Sequence, residues 1–388
     1  MVPSMLAIAS IFGPPRDPRT WSGAPANIAK ELEKQGVPVA GIDLSLGPAH
    51  YAFFAGSHLM SRYGLFRYSE AIARGGAMRR FRARRLTREL NKLGITRVLH
   101  TGTLDMPANC EGTGITHYLF CDHTWHLAFP HRMDIDQYSE KAIRDFDELE
   151  RRNYQQSRHI FTFGDYVRQD LIAHYGIPED RVTAVGSGMG NLKPFLGEKD
   201  YRTGKLLFIA KHLFREKGGE LLIDAFLLAI RERPELTLTI VGNRKAAASV
   251  AGHKNIDVRP YVSWDELQSL LRQASLLVQP MLNDPWGQVY LEALISRTPV
   301  VGLRRNGLPE ITQNGRFGFL VDSAEPKAVA RAVLDAVSDP DRLAHMGWLG
   351  QQHVLENYSW DLVGKRIYRI IESGGDGGPV PENGREPS

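Results

Sequence analysis

The chain has 388 residues, 43% hydrophobic and 24% charged, with a formal net charge of +4. This length exceeds what one hydrophobic core usually supports, so two domains are expected. The composition is that of a globular protein, and the small positive charge gives no support for a nucleic-acid partner. No apolar run approaches the roughly 20 residues of a membrane-spanning helix, and the apolar start lacks the pattern of a signal peptide. A cytoplasmic location is therefore expected.

Short apolar runs alternate with helical patterns almost from end to end. This alternation is typical of βαβ units, whose parallel sheets are covered by helices on both faces, and it predicts an α/β fold. The predicted strands cover residues 5–12, 37–44, 97–101, 117–122, 159–164 and 182–187 in the first half, and 205–211, 236–241, 256–262, 276–280, 299–303 and 318–321 in the second half.

The stretch 188–197 contains glycine and proline without clear periodicity, which is typical of a linker. We therefore place a domain boundary near residues 190–203, with a first domain over 1–195 and a second over 200–356. The tail 373–388 has almost nothing apolar to bury, and it is predicted to be disordered.

The loop after the first strand is long and rich in proline. Ser22 is a good N-cap residue for the helix that follows, and the free amides of its first turn, beside Gly23, can hold an anion. An ordinary capped helix explains Ser22 equally well. The length of the loop suits the wall of an acceptor site.

Residues 79–92 contain seven basic side chains and one acidic side chain. Met78, Phe81, Leu86 and Leu90 fall near helical spacing, so this segment is predicted to be a basic amphipathic helix. Such a helix can lie on an anionic membrane surface or hold a phosphate-rich acceptor. The alternative is a solvated helix that packs on its own sheet.

Three titratable residues, Asp122, His123 and His126, lie at the carboxyl end of the strand predicted at 117–122. Ligands bind at the carboxyl ends of strands in parallel sheets, so a cluster at this position favours a site. His123 is the preferred candidate, Asp122 and His126 are its competitors, and His100 at the end of the preceding strand is a further alternative. A histidine at a strand end can also be structural.

The first strand of the second half ends at Lys211, and Lys217 follows just before a helix. Fixed cations in such a turn can balance the concentrated charge of a diphosphate. Two lysines near a helix start also occur by chance.

Two carboxylates, Asp284 and Glu292, lie eight positions apart in the segment 277–310. Asp284 and Pro285 are predicted to be the N-cap and first residue of a helix, with Glu292 about two turns further in. One carboxylate can then accept hydrogen bonds from sugar hydroxyls and the other from a ribose. The alternative is that Asp284 only caps the helix and Glu292 is solvated.

The segment 277–310, with its carboxylate pair, its Pro-Trp-Gly step and its turn ending in Pro309-Glu310, resembles the donor-binding signature of the family 4 retaining glycosyltransferases, also called glycosyl transferases group 1. The resemblance implies a GT-B fold, in which two Rossmann-like domains face each other across a cleft. It also implies a UDP-, GDP- or ADP-sugar donor, transfer of a hexose with retention of configuration, and no metal or other cofactor. The last helix, 357–372, would complete the first domain.

The resemblance also implies roles for individual residues. Asp284 would contact the donor hexose and Glu292 the ribose, and Lys211 and Lys217 would stabilise the leaving diphosphate. The remaining implied contacts are made by Gly23, by the backbone at Val262 and Ser263 beside the base, by the turn Asn306, Gly307 and Leu308 beside the phosphates and sugar, and by His123 at the reacting centre.

The chain departs from the family at Ala210-Lys211 (usually Gly-Arg), at Asp284 (usually Glu) and at Gly23-Ala24 (usually Gly-Gly). These departures leave open a nucleotide-sugar epimerase or hydrolase and a non-catalytic nucleotide-sugar-binding scaffold. The expected acceptor is a carbohydrate or a lipid-linked molecule, in the synthesis of a cell-surface polysaccharide or glycolipid.

Metal sites find little support in the sequence. Cys110 and Cys121 lie outside any CxxC or Cys/His cluster, so plain core thiols are expected. Asp-x-Asp triplets, which can hold a cation on a diphosphate, occur at 134–136, 145–147 and 339–341, but none follows a predicted strand.

Overall fold

The computed structural model describes residues 4–60, 69–131, 138–190, 192–242 and 248–372. The tail 373–388, predicted to be disordered, lies outside the described residues. Contacts divide the chain into two compact units. The first contains Met1–Gly188 and Trp360–Ser388, and the second contains Met189–Ser359.

The first unit is built on a six-stranded sheet in which every neighbouring pair is parallel, in the order β2-β1-β3-β4-β5-β6. Residues Leu6 to Ala9 of its first strand are completely buried, as expected for a strand covered on both faces. The strands are β1 (Leu6–Ser10), β2 (Val39–Asp43), β3 (Arg97–Thr101), β4 (Thr116–Cys121), β5 (His159–Thr162) and β6 (Val182–Ala184).

In the described part of the first unit, seven α-helices precede the second unit in the chain. They are α1 (Ala24–Lys34), α2 (Pro48–Met60), α3 (Ser69–Arg74), α4 (Gly76–Leu93), α5 (Trp125–Ala128), α6 (Glu140–Gln156) and α7 (Asp165–Ala173). The loop before α1 differs from the prediction. Ser22 is not the N-cap, because its φ of 55° is left-handed and Gly23, with a φ of 81°, precedes the helix.

The second unit repeats this plan with a parallel six-stranded sheet in the order β12-β11-β10-β7-β8-β9. Its strands are β7 (Lys205–Ala210), β8 (Thr237–Gly242), β9 (Ile256–Arg259), β10 (Leu276–Val278), β11 (Val300–Leu303) and β12 (Gly318–Val321). The predicted α/β fold is thereby confirmed, with strands at all twelve predicted positions.

Helices cover the second sheet, and its core is formed by buried residues such as Phe208, Phe226 and Leu276. The helices are α8 (Gly219–Glu232), α9 (Trp264–Gln273), α10 (Gln288–Ile295), α11 (Leu308–Ile311), α12 (Pro326–Ser338) and α13 (Pro340–Asn357). The chain then returns to the first unit as α14 (Trp360–Glu372), which packs on α1. A Cβ added at Gly364 would lie 2.4 Å from Glu31 Cβ, so glycine allows these two helices to approach closely.

Helix α4 is the predicted basic helix, but two of its arginines are buried. Arg79 and Arg82 are 5% and 1% exposed, and they donate to the carbonyl oxygens of Thr103 and Ala73. Burial lowers the pKa of Arg79 to about 10, against the opposing charge of Glu150. These two arginines therefore do not contribute to an exposed basic face, because their guanidinium groups bond to carbonyl oxygens beneath the helix.

The exposed basic residues of α4 form one stripe along the helix. They are Arg80, Arg84, Arg88 and Lys92, each four residues after the last, and such residues share one helical face. Among the helices that the structure describes, none is long and apolar enough to cross a membrane.

Candidate functional site

Lys217 and Asp284 meet at the carboxyl end of the second sheet. The Lys217 Nζ lies 3.0 Å from Asp284 Oδ2, and both side chains are about one-fifth exposed. The loop after β7 brings Lys217 there, and Gly218, with a φ of 83°, starts α8. Glycine is required because an added Cβ would lie 2.0 Å from the Pro280 carbonyl oxygen. The two strand-end loops are therefore locked together at the site.

Asp284 does not cap α10 as predicted. The helix begins at Gln288, and its N-cap is Gly287, with a left-handed φ of 73°. Asp284 Oδ1 instead accepts a hydrogen bond of 2.9 Å from the Gly287 amide. Glu292 consequently lies about one turn into the helix, and not two. Asp284 keeps its site position because its two oxygens hold the loop and Lys217 together.

Glu292 is a buried carboxylate, with 8% of the residue exposed. Burial raises its pKa to about 7, and the charge of Lys217 opposes that rise. The alternative in which Glu292 is solvated is therefore excluded. A Cβ added at Gly190 would lie 2.6 Å from Glu292 Oε1 and 3.8 Å from the Trp264 ring. The carboxylate and the indole therefore lie beside the same glycine.

Lys211 is exposed, and its Nζ lies 4.6 Å above the centre of the Tyr261 ring. The predicted base-binding segment follows this tyrosine. Val262 is buried, and Ser263 caps α9 by accepting a hydrogen bond of 3.2 Å from the Glu266 amide. Lys211 makes no ion pair among the described residues, so its charge is available to an anion.

The turn after β11 meets Asp284 directly. Asn306, with a left-handed φ of 53°, donates from Nδ2 to the Asp284 carbonyl oxygen at 3.0 Å. Gly307 has an ordinary φ of −73°, and its N–H donates to the Pro285 carbonyl oxygen. Glycine is needed there because an added Cβ would lie 2.6 Å from the Trp286 ring.

These loops enclose a small cavity lined by Asp284, Trp286, Arg305, Asn306, Gly307 and Leu308, among others. Four of these residues were predicted from the sequence, whereas Trp286 and Arg305 were not. Gly190, Tyr261 and Trp264 were also missed as site residues. The basic pair Arg304-Arg305 at the start of the turn after β11 was the one available signal, whereas the other contacts join segments distant in sequence.

The first unit holds the predicted histidine and its competitors after β4. His123 packs against the Tyr166 ring at 5.9 Å between centroids. His126 is paired with Asp170 at 2.6 Å and stacks on His174 at 3.7 Å. His126 is held by that pair, and the roles of His123 and of its competitor Asp122 stay predictions.

His100 is buried within the sheet and does not face a site opening. Its ring nitrogens contact Asp105 Oδ2 and His117 Nδ1, both at 2.9 Å. Burial, together with the charge of His100, lowers the pKa of His117 to about 3. We therefore interpret His100 as part of a buried structural network with Asp105 and His117.

Gly23 lies in the first unit before α1. An added Cβ would lie 3.0 Å from the Pro18 carbonyl oxygen, which together with the left-handed φ explains the glycine. The contact of Gly23 with a donor stays a prediction.

Two of the Asp-x-Asp triplets can be placed. Asp145 and Asp147 lie in α6, where they pair with Lys141 and Arg151, and Asp339 caps α13. The triplet 134–136 lies outside the described residues. Within the described ranges, no group of three or more His, Cys, Asp or Glu side chains is arranged to hold a metal ion. Cys121 is buried and Cys110 is half-buried, and both are free thiols.

The two parallel α/β sheets and the cationic, carboxylate-bearing loops of the second unit define a GT-B-like architecture. Sucrose-phosphate synthase from Thermosynechococcus elongatus has this fold with a TM-score of 0.72 at 14% identity, over 95% of this chain and 98% of that chain. HepE from Anabaena in complex with UDP-glucose gives a TM-score of 0.63 at 13% identity, over 95% of this chain and 100% of that chain.

Residues 197–353 match the family model of the Glycosyl transferases group 1. D-inositol 3-phosphate glycosyltransferase from Streptomyces scabiei is 30% identical over 50% of this chain and 48% of its own length. A GDP-mannose-dependent alpha-(1-6)-phosphatidylinositol monomannoside mannosyltransferase from Mycolicibacterium smegmatis is 26% identical over 56% of this chain and 60% of its own length. The chain thus spans about half the length of the curated relatives it matches.

Proposed function

We propose that this protein is a glycosyltransferase that moves a hexose from a nucleoside-diphosphate sugar to an acceptor with retention of anomeric configuration. The observation that carries the proposal is the group formed by Lys217, Asp284 and Glu292 at the carboxyl end of the second sheet. Ligands of open parallel sheets bind at this edge. The family match over the same unit supports it.

In this proposal the second unit binds the donor. Glu292 accepts hydrogen bonds from the ribose hydroxyls, and Asp284, held in place by Gly287 and Asn306, orients the hexose. The backbone at Val262 and Ser263 lies beside the base. The sugar nucleotide named in the neighbouring HepE structure is UDP-glucose, which agrees with a donor of this class.

Lys211 and Lys217 balance the diphosphate as it leaves. Fixed cations stabilise charge that develops in the transition state, and they need no reorganisation to do so. In many enzymes this electrostatic stabilisation is the largest single contribution to the rate enhancement. The acceptor hydroxyl attacks the anomeric carbon from the face that the diphosphate leaves, and a phosphate oxygen takes its proton. The bond from the anomeric carbon to the diphosphate oxygen breaks, and configuration is retained. No metal is assigned to this step, and His123 supports the reacting face.

For the acceptor we propose a carbohydrate or a lipid-linked molecule. The exposed cations of α4 support contact with an anionic membrane surface, because each basic residue near such a surface contributes about 1 kcal/mol. Phe81, on the same helix, is 38% exposed, and Phe53 of α2 is 78% exposed. The relatives that act on phosphatidylinositol mannosides agree with such an acceptor.

Product analysis tests the proposal. The protein is incubated with UDP-, GDP- and ADP-sugars, both neutral hexoses and hexuronic acids, and a panel of sugar and lipid acceptors, with and without EDTA. The products are identified by mass spectrometry and NMR. A hexose on an acceptor with the donor's anomeric configuration, formed equally with EDTA, is expected. A changed or freed sugar would indicate an epimerase or hydrolase, and binding without turnover would indicate a scaffold. Either result overturns the proposal.

A further inference from the structure

Arg305 is an arginine whose charge the protein does not neutralise. Its guanidinium is half-buried and lines the cavity beside Asp284 and Asn306. Its one side-chain hydrogen bond within the described part of the chain goes from Nη1 to the Leu282 carbonyl oxygen at 3.3 Å. No carboxylate lies within 4.0 Å of it among those residues. A guanidinium has five N–H donors, so most of its donor capacity is left for a ligand or water.

The neighbouring Arg304, unlike Arg305, forms an ion pair among the described residues. Arg304 points outward, is exposed, and its Nε lies 2.5 Å from Asp322 Oδ1. Its charge is therefore compensated at the surface. Within the cavity, the carboxylate of Asp284 is already paired with Lys217, so it does not compensate Arg305. The cavity consequently carries a net positive charge that comes from Arg305.

Burial without a partner lowers the pKa of Arg305 and makes its charged form costly. An anionic ligand group in the cavity would remove that cost. A planar guanidinium binds a carboxylate with two parallel hydrogen bonds, whereas a neutral hydroxymethyl group offers no compensating charge. The cavity is also lined by Asp284, which the proposed function assigns to the donor sugar.

We infer that Arg305 selects a donor whose sugar carries a carboxylate, that is, a nucleoside-diphosphate hexuronic acid. This inference rests on the proposed function, because it assigns the sugar of the same donor site. The carboxylate would take the two terminal nitrogens of Arg305, while Lys211 and Lys217 remain with the diphosphate. Discrimination against the neutral hexose would then come from the unpaired guanidinium that such a sugar leaves behind.

Binding calorimetry on the full chain tests this. The probes are UDP, UDP-glucose and UDP-glucuronic acid, with GDP, GDP-mannose and GDP-mannuronic acid as a second series, and the variants are R305Q and the matched control R304Q. The wild type is expected to bind the uronic acid donor at least about tenfold more tightly than the neutral donor of the same base. R305Q should remove this preference and leave the affinity for the bare nucleoside diphosphate within about twofold. R304Q should change neither.

Three results would overturn the inference and leave the proposed function intact. One is a wild-type preference for the neutral hexose. Another is equal weakening of bare diphosphate and uronic acid donor by R305Q, which would place Arg305 on the phosphates. The third is an equal effect of R304Q, which would indicate a general charge effect. Absence of binding by every nucleotide to the wild type would overturn both the inference and the proposed function.

Discussion

Lys217 and Asp284 form an ion pair of 3.0 Å between Nζ and Oδ2. Each of them has a different part of the donor as its proposed ligand, the diphosphate for Lys217 and the hexose for Asp284. The pair therefore keeps both side chains in place before binding, at the cost of competition between Asp284 and the diphosphate for the lysine.

This competition predicts opposite effects of Asp284→Asn on binding and turnover. The amide oxygen can still accept from Gly287, but the charge that holds Lys217 is lost. The bare nucleoside diphosphate should bind as well as before or a few-fold more tightly, whereas kcat with the sugar donor should fall about 100-fold, the range seen when one transition-state contact is removed. Calorimetry and steady-state kinetics measure the two effects. Weaker binding of the bare diphosphate would contradict this account of the pair.

Donor binding should depend on pH through Glu292. Its pKa of about 7 in the folded protein means that the carboxylate is largely protonated below pH 7, and a protonated acid is a poorer acceptor for ribose hydroxyls. Affinity for the donor should therefore rise about tenfold from about pH 6 to about pH 8. Glu292→Gln should bind weakly and without this dependence. A wild-type affinity that stays flat over this range would show that Glu292 does not contact the donor.

The raised pKa of Glu292 should also lower the free energy of unfolding as pH rises. Since burial raises the pKa from 4.5 to about 7, the folded state holds a proton that the unfolded state releases. The contribution of Glu292 to the unfolding free energy is full below pH 4.5 and falls as pH rises to 7, by about 1.4 kcal/mol per unit. Glu292→Gln should therefore stabilise the protein relative to wild type above pH 7, by up to about 3 kcal/mol, and not below pH 5. Denaturant titrations at several pH values check the difference.

Two glycines of the site should respond differently to alanine. Gly190→Ala meets the flexible end of Glu292, which can move, so the melting temperature should change little while donor affinity falls toward that of Glu292→Gln. Gly218→Ala meets the Pro280 carbonyl at a left-handed φ, and the backbone cannot yield without strain. This variant should lose more than about 2 kcal/mol of stability. If both variants were equally destabilised, the proposed freedom of Glu292 would be wrong.

Substitutions at exposed and at buried arginines of helix α4 should affect membrane binding and stability separately. Replacing Arg80, Arg84 and Arg88 by glutamine should reduce sedimentation with vesicles that contain anionic lipid about tenfold or more, since the three charges contribute about 1 kcal/mol each, and leave the melting temperature nearly unchanged. Arg82→Met should destabilise the fold, because it removes the hydrogen bonds to Ala73 and Tyr51. Equal vesicle binding by the triple variant and the wild type would exclude a membrane role for this stripe.

The strands were predictable from the sequence because parallel strands buried on both faces are short, nearly continuous apolar runs. The start of α10 was not, since Asp284 bonds Gly287 in the folded loop and the left-handed Gly287 sets the helix start. Asp284, Glu292 and Lys217 could be predicted as site residues because their charged side chains are of the types that bind sugar hydroxyls and phosphates. The contact of Gly190 with Glu292 could not be predicted, because it joins segments far apart in the chain.

The buried arginines of α4 show the same limit of sequence reasoning. Helical spacing separates an apolar face from a polar one, but it does not show that Thr103 and Ala73 offer carbonyl oxygens beneath Arg79 and Arg82. Long basic side chains can pack inward when such partners exist. The assignment of donor and acceptor to the two units, and the role of His123, stay predictions.

The most direct test of the account is binding of UDP, GDP and ADP to the wild type, to Lys217→Ala and to Lys327→Ala, an exposed lysine of α12 as control. We predict that one nucleoside diphosphate binds the wild type and the control equally, and that Lys217→Ala weakens its binding about 100-fold through loss of the fixed cation. If no nucleotide binds the wild type, or if Lys217→Ala binds as well as the control, the second unit is not the donor site and the central claim fails.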